Sequence, residues 1–246
     1  SIEAECRARA VPWVVAAPDT SSSGEVAALS AGAAEFLTLN DNLKLAQLRF
    51  ERVLCDRLSV EGRQRGLSTD GLTGLGSRRR FTQHFEGEWA RACRQQTPIS
   101  LLLIDIDRFA DFNKAYGYLV GDDCLERLAG LWDVAVRRPS DLLARFGGNQ
   151  VIGVFPGSDA TSLSPLAERM RTLAVEANID HEQSDHDGKL TVSIGIASCI
   201  PDRKSSIHAL LDLVREACDE AKAAGGNKVV ARMSDAQGSV VPAAGS

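Results

Sequence analysis

The sequence predicts an α/β protein in which helices flank a mixed central sheet. A continuous apolar run over residues 99–104 is typical of a buried strand. Two further apolar segments, 142–146 and 151–155, are separated by Gly147 and Gly148, which is typical of a β-hairpin. Helical segments alternate with these strands, and the hairpin supplies antiparallel neighbours, so the pattern favours a sheet of mixed direction.

The first 52 residues predict a smaller α/β segment. A short strand over residues 11–17 precedes a polar loop over 18–24 and an alanine-rich helix. From residue 43 to 65, apolar side chains fall mainly at helical intervals with charges between them, which predicts a connecting helix, and the linker is assigned to residues 53–69. Two interpretations of this helix stay open, a dimerisation surface and a solvated connection.

The main domain is predicted over residues 70–232. Helices are predicted over 78–95, 121–136, 165–177 and 207–224, and strands over 99–104, 142–146, 151–155, 190–198 and 228–231. The tail, residues 233–246, is rich in glycine, alanine and serine, so we expect it to be disordered.

Composition narrows the classes of function. The chain has 246 residues, 44% of them hydrophobic, which is enough for one well-buried core and an appendage. Its 33 acidic and 28 basic residues give a net charge of −5, which argues against a general binder of nucleic acid or membrane surfaces.

The cysteines and the apolar segments predict a cytoplasmic protein. Six cysteines are scattered without the spacing of a metal site, which favours reduced thiols over disulfides. No stretch approaches about 18 uninterrupted apolar residues, and no signal-peptide pattern opens the chain, so no membrane insertion is expected.

Several motifs carry a family resemblance. In order they are DGLTGLGSRRRF from Asp70, LLLIDIDRFADFNKAYGYLVGDDCL from Leu101, the hairpin, LTVSIGIAS from Leu190 and EAKAAGGNKVV from Glu220. Together they resemble the GGDEF family, the diguanylate cyclases that join two GTP molecules into cyclic di-GMP. The resemblance implies the nucleotidyl cyclase-like α/β fold for residues 70–232.

The N-terminal segment has a weaker resemblance of its own. Its AGAAEFLTLND run is similar to the late part of a response-regulator receiver domain, in which a Lys-Pro pair follows the strand. Leu39 and Asn40 stand in place of that pair, and Ala16 and Ala17 stand where a receiver has a hydroxyl residue. The resemblance therefore implies a partial, degenerate receiver without a phosphorylation switch, and an unrelated α/β fragment remains the alternative.

The signature hairpin departs from the family pattern. Cyclisation needs divalent cations held by carboxylates. The resemblance assigns their ligands to Asp105, the Ile106 carbonyl and the acidic third residue of the signature, which is Asn149 here. The fourth residue is Gln150, which cannot ionise. We therefore expect a degenerate cyclase with no catalytic residues, no bound Mg²⁺ and no required cofactor.

Other positions of the nucleotide site are partly kept. The resemblance places Asn113 and Asp122 on the guanine of GTP and Lys222 on its phosphates. Two basic residues of the family pattern are replaced by Ala110 and Gly226. Three interpretations stay open: remnants that serve the fold, a GTP-binding regulatory module, and a residual diguanylate cyclase.

The product-binding site of the family is better kept. The resemblance implies a cyclic di-GMP site at the Arg-x-x-Asp motif Arg138–Asp141, joined by Arg169 from the following helix. An arginine can donate two hydrogen bonds to guanine O6 and N7, and a carboxylate can accept from the guanine N1 and N2 donors. Arg137 is an alternative donor if the register shifts by one residue.

These features predict a catalytically inactive effector that binds cyclic di-GMP and relays its level to protein partners. The resemblance to receiver-GGDEF regulators also implies a homodimer and polar recruitment of partners for cell-cycle proteolysis. A scaffold without a ligand, in which Arg138 and Asp141 merely pair on the surface, is a further alternative.

Overall fold

A computed structural model describes the backbone of residues 14–17, 35–38, 68–234 and 240–242, and the side chains of residues 68–233. The chain divides into two compact units, Ser1–Arg65 and Gly66–Ser246.

In the first unit, strand β1 (Val14–Ala17) pairs in parallel with strand β2 (Glu35–Thr38). The predicted linker helix and the remaining receiver-like features lie outside the described residues.

The second unit has the predicted alternation of helices and strands. Its helices are α1 (Arg78–Gln95), α2 (Phe109–Tyr116), α3 (Tyr118–Ala135), α4 (Ala160–Glu176) and α5 (Ile207–Ala223). Its strands are β3 (Ile99–Ile106), β4 (Leu142–Gly147), β5 (Gln150–Pro156), β6 (Val192–Cys199), β7 (Val229–Ser234) and β8 (Val240–Pro242).

The sheet of this unit is mixed, as the sequence predicted. Its described strands lie in the order β4-β5-β3-β6-β7-β8. Strand β3 is antiparallel to both β5 and β6, whereas β6 and β7 are parallel. Asp105 near the end of β3 lies opposite Gln150 on one side and Ser193 on the other. The hairpin tip is thereby brought to the carboxyl end of the central strand.

Both faces of the sheet are buried, which explains the continuous apolar run in β3. Leu102, Ile104 and Ile106 pack on one face with helices α3 and α4. Leu101 and Leu103 point to the other face and pack with α1 and α5. Successive side chains of a strand alternate between faces, so a strand covered on both sides must be apolar throughout.

Three elements differ from their predictions. Helix α2 was not predicted, because it has only eight residues and lacks the usual start signal. Its N-cap, Arg108, has a left-handed backbone (φ 50°) and forms no side-chain capping hydrogen bond. Helix α4 begins five residues before the predicted start, because Asp159 and Ser162 form a capping box ahead of Pro165. Disorder was predicted for 233–246, but β8 lies within this tail and pairs with β7.

The turn of the hairpin also differs by one position. Gly147 belongs to β4 and pairs with Gln150, and the register shifts between Arg145 and Gly147. The turn therefore consists of Gly148, at φ 54°, and Asn149. This shift places Asn149 at the hairpin tip and Gln150 in β5 beside the central strand.

The thiols and helices give two further results. All four cysteines of the described part of the chain, Cys93, Cys124, Cys199 and Cys218, are free, as expected. Among the described helices, none combines the length and apolarity needed to cross a bilayer.

Candidate functional site

Asp105 is the centre of the first candidate site. It lies at the carboxyl end of β3 and is only 4% exposed. Asn149 Nδ2 donates to Asp105 Oδ1 at 2.7 Å and to the Ile106 carbonyl oxygen at 3.1 Å. Gln150 Nε2 donates to the second carboxylate oxygen, Oδ2, at 2.6 Å. Both amide side chains of the hairpin therefore point their nitrogens at this carboxylate.

Lys222 completes the surroundings of Asp105. From the last turn of α5, its Nζ lies 2.7 Å from Asp105 Oδ2. Burial acts to lower the pKa of Lys222, but the hydrogen bond and the charge of Asp105 outweigh burial and raise it above the usual value. Lys222 is therefore a cation, and it balances the buried negative charge of Asp105.

Asp107, two residues further along the chain, serves the fold. Its carboxylate accepts hydrogen bonds from Thr191 Oγ1 at 2.7 Å, Ser193 Oγ at 2.6 Å and the Asn227 backbone N–H at 2.9 Å. These bonds tie the end of β3 to β6 and to the turn before β7. With three donors from the protein, Asp107 is a structural link.

Asn113 and Asp122 lie around the junction of α2 and α3. Asn113 Oδ1 is buried and has no hydrogen-bond donor among the described residues. A Cβ atom at Gly121 would lie 2.0 Å from this oxygen, so any other residue there would displace the Asn113 amide. Asp122 follows Gly121 and is exposed. The structure thus leaves the Asn113 amide oxygen unsatisfied by the described residues, next to the glycine that precedes Asp122.

A cavity of about 240 Å³ lies beside Lys222. Arg108, Asp185 and His186 line it, together with Gly225 and Gly226. Arg108 Nη1 lies 3.2 Å from Asp185 Oδ1, and His186 Nε2 lies 2.9 Å from the Gly225 carbonyl oxygen. Because Asp185 pairs with Arg108 and Asp105 pairs with Lys222, both cations of this cavity are already neutralised by the protein.

A second cavity, of about 290 Å³, lies at the Arg-x-x-Asp motif. Its charged lining consists of three arginines and two aspartates: Arg80, Arg137, Arg138, Asp133 and Asp141. The structure therefore brings Arg138 and Asp141 to one site, with Arg137 beside them.

The contacts of Arg138 and Asp141 leave the carboxylate open to a ligand. Arg138 Nη1 donates to Ser158 Oγ at 3.3 Å, and no basic side chain among residues 68–233 forms an ion pair with Asp141. Ser140 Oγ donates to Asp141 Oδ1 at 3.2 Å. Burial raises the pKa of the Asp141 carboxyl, and it outweighs the opposing effects of Ser140, Arg138 and His84.

The second unit matches one family. The family model described as "Diguanylate cyclase, GGDEF domain" matches residues 67–228. The chain belongs to the GGDEF family. The predicted nucleotidyl cyclase-like α/β fold is thus confirmed for the second unit.

Curated relatives include response regulators and cyclases. Response regulator PleD from Caulobacter vibrioides is 32% identical over 164 residues, which are 67% of this chain and 36% of PleD. The probable diguanylate cyclase DgcT from Escherichia coli is 32% identical over 163 residues, which are 66% of this chain and 35% of DgcT. The chain thus spans about a third of the length of these relatives.

Solved GGDEF structures include complexes with cyclic di-GMP. The coiled coil and GGDEF domain of DgcB from Caulobacter crescentus, solved with cyclic di-GMP, superposes with a TM-score of 0.66 at 29% identity, covering 77% of this chain and all (100%) of that one. The DgcB GGDEF domain with the same ligand has a TM-score of 0.59 at 30% identity, covering 67% of this chain and 95% of the other.

As oriented in the structure, the side chains around Asp105 present hydrogen-bond donors and an ammonium group to this carboxylate. Hard cations bind oxygen ligands, but Asn149 directs its N–H groups at the carboxylate and at the Ile106 carbonyl. The reverse orientation of this amide would place its oxygen against two other acceptor oxygens. Among residues 68–233, no group of three or more His, Cys, Asp or Glu side chains is arranged to hold a metal.

Arg169, which the GGDEF resemblance assigned to the product site, is not part of the cavity lining. It lies on α4 and its Nη1 is 3.1 Å from Glu176 Oε2. Both side chains of this pair are more than half exposed, at 55% and 54%. Such pairs contribute little to stability, so Arg169 can leave Glu176 at small cost.

Sequence reasoning missed several residues that the GGDEF fold brings to these sites. Arg80 lines the product cavity, and His84 Nε2 donates to the Ser140 carbonyl oxygen at 2.8 Å. Ser158 contacts Arg138. Arg80 and His84 are four residues apart and thus share a helix face, but no sequence pattern shows that this face meets the Arg-x-x-Asp segment.

Proposed function

We propose that this GGDEF protein is an effector that binds cyclic di-GMP at the Arg138–Asp141 cavity and does not synthesise it. The observation that carries the proposal is the contrast between two carboxylates. Asp105 is buried and fully engaged by Asn149, Gln150 and Lys222. Asp141 lines a cavity, and its carboxylate accepts one side-chain hydrogen bond, from Ser140. It forms no ion pair with the described residues.

The engagement of Asp105 supports the absence of cyclase activity. Phosphoryl transfer from GTP depends on divalent cations that neutralise charge developing on the phosphates. To bind a divalent cation, Asp105 would have to give up hydrogen bonds from two amides and its ion pair with Lys222. Asn149 contributes no negative charge to such a site.

The product cavity supports the binding of cyclic di-GMP. Among the described residues, Arg138 forms one side-chain hydrogen bond, at 3.3 Å to a serine hydroxyl, so it can turn to a ligand at little cost. The guanine O6 and N7 atoms match its paired donors, and Asp141 can accept from guanine N1 and N2. The DgcB complexes provide solved examples of GGDEF domains that hold this ligand.

Removal of either charged group should weaken binding. We expect Arg138→Ala and Asp141→Asn each to lower the affinity for cyclic di-GMP about tenfold, since each loses charge-assisted hydrogen bonds. Isothermal titration calorimetry measures the dissociation constants. Arg203→Ala, at an exposed arginine between β6 and α5, is the matched control and should bind like the parent. A parent chain that binds no cyclic di-GMP would refute the proposal.

Binding should also depend on pH through Asp141. Only the ionised carboxylate can accept both guanine donors, so affinity should be full above the Asp141 pKa and fall as the pH drops through it. Because burial raises this pKa, the fall should begin at a higher pH than for an ordinary aspartate, whose pKa is about 3.9. Calorimetry at several pH values tests this, and Asp141→Asn should abolish this dependence. If the affinity of Asp141→Asn falls equally with decreasing pH, the pH dependence belongs to another group.

A GTP-binding regulatory module is the second candidate, and Asn113 favours it. Its buried, unsatisfied Oδ1 could accept a hydrogen bond from a guanine N–H. The ion pair of Lys222 with the buried Asp105 weighs against it, because a triphosphate must first break this pair. The exposed pair of Arg108 with Asp185 opposes binding only weakly. Competition calorimetry separates the two: GTP binding that survives Arg138→Ala but fails in Asp122→Ala would favour the GTP module.

A residual diguanylate cyclase is the third candidate, supported by the family alone. Incubation with GTP and Mg²⁺ or Mn²⁺ decides it, because accumulation of cyclic di-GMP above a blank without protein would refute an inactive effector. We also propose that the protein relays the level of the dinucleotide to protein partners. We propose that it does so as a homodimer recruited to a cell pole. These two proposals rest on the resemblance to receiver-GGDEF regulators.

A further inference from the structure

Arg80 shares the wall of the product cavity with Arg138 and Asp141. It lies in the first turn of α1, where Ser77 Oγ accepts a hydrogen bond from its backbone N–H at 3.2 Å. This cap fixes the position from which the Arg80 side chain leaves the helix.

Helix α1 is tied directly to the Arg-x-x-Asp segment. One turn after Arg80, His84 Nε2 donates to the Ser140 carbonyl oxygen at 2.8 Å. Residues four apart lie on the same side of a helix, so Arg80 faces the same segment as His84. The loop before α1 is also held in place: Gly76 N–H donates to the Leu143 carbonyl, and Arg145 N–H donates to the Gly76 carbonyl. These hydrogen bonds therefore hold the first turn of α1 beside the Arg-x-x-Asp segment.

The charge around Arg80 is unbalanced. The first turn of α1 contains Arg78, Arg79 and Arg80 and no acidic residue, although the positive end of the helix dipole disfavours cations there. Arg78 packs over the Phe146 ring at 4.9 Å, whereas Arg80 forms no ion pair with any carboxylate among residues 68–233. Arg80 is exposed and free to meet an anion in the cavity.

We propose that Arg80 contacts a phosphate of the cyclic dinucleotide bound in this cavity. The inference rests on the proposed function and adds a residue to the site. Arg138 and Asp141 together match the edge of one guanine, and the ligand also carries two negatively charged phosphates. A guanidinium can donate two parallel hydrogen bonds to a phosphate, and Arg80 supplies this group in the lining of the same cavity.

The test compares two neighbouring arginines. Arg80→Gln should weaken cyclic di-GMP binding about tenfold in calorimetry, because a charge-assisted phosphate contact is lost. Arg79→Gln removes the same charge from the same helical turn at a residue that does not line the cavity. It should change the affinity less than about threefold. Arg80→Lys should give an intermediate loss, because the charge stays but the paired donors do not.

A double-mutant cycle excludes an indirect effect through Asp141. If Arg80 binds phosphate and Asp141 binds guanine, the losses in Arg80→Gln and Asp141→Asn should multiply. Losses that fail to multiply would make Arg80 a positioning residue and overturn the phosphate contact. Equal affinities of Arg80→Gln and Arg79→Gln, with binding still reduced by Arg138→Ala, would refute this inference alone. No binding by the parent chain would refute it together with the proposed function.

Discussion

Replacing Asn149 with aspartate should create a site for a divalent cation. In the parent protein the Asn149 amide donates to Asp105 at 2.7 Å and to the Ile106 carbonyl at 3.1 Å. A carboxylate in its place would face these same oxygens, and it would be repelled until a cation binds between them. We expect Asn149→Asp to be less stable than the parent without metal and to be stabilised by Mg²⁺ or Mn²⁺.

The metal should raise the free energy of unfolding of Asn149→Asp by a large amount, because the cation binds only the folded chain. At a metal concentration one hundred times the dissociation constant, binding adds about 2.7 kcal/mol to the free energy of unfolding. Urea denaturation at increasing Mn²⁺ concentrations measures it. Asn149→Ala is the control, because it removes the amide donors without adding a charge, and its stability should not depend on metal. Equal stabilisation of the parent by Mn²⁺ would show that the amide arrangement already binds a cation.

Replacing Lys222 with methionine should destabilise the fold. Asp105 is 4% exposed and has Lys222 as its ion-pair partner within the described residues. Breaking a buried ion pair by removing one partner costs about 3–5 kcal/mol. Lys222 is itself 38% exposed, and two amide hydrogen bonds to Asp105 remain, so we expect a loss of about 2–3 kcal/mol.

Two further variants test whether the buried charge is the cause. Lys114 pairs with Asp111 on the surface, with 76% of its side chain exposed, so Lys114→Met should cost less than about 0.5 kcal/mol. Adding Asp105→Asn to Lys222→Met should recover part of the lost free energy of unfolding, because no charge then remains buried. A double variant as unstable as Lys222→Met alone would assign the loss to packing of the lysine stem.

Most of the fold of the second unit followed from local patterns. The apolar run of β3, the Gly-Gly hairpin and the amphipathic helices are features that a few neighbouring residues specify. Helix α2 was not predicted because it is short and begins without a side-chain cap. The hairpin turn moved by one residue because the register at Arg145 and Gly147 is set by pairing with β5.

For the candidate sites too, the sequence determined some features and the tertiary structure decided others. The sequence by itself determined that Asn149 and Gln150, which carry no charge, follow Gly147 and Gly148 in the hairpin, and that Arg138 and Asp141 are three residues apart. Only the tertiary structure decided that Asn149, Gln150 and Lys222 converge on Asp105, because β3, the hairpin and α5 are far apart in the chain. It also decided that Arg80 and His84 face the Arg-x-x-Asp segment. Contacts between distant segments depend on how helices pack on the sheet, and local periodicity carries no information about that packing.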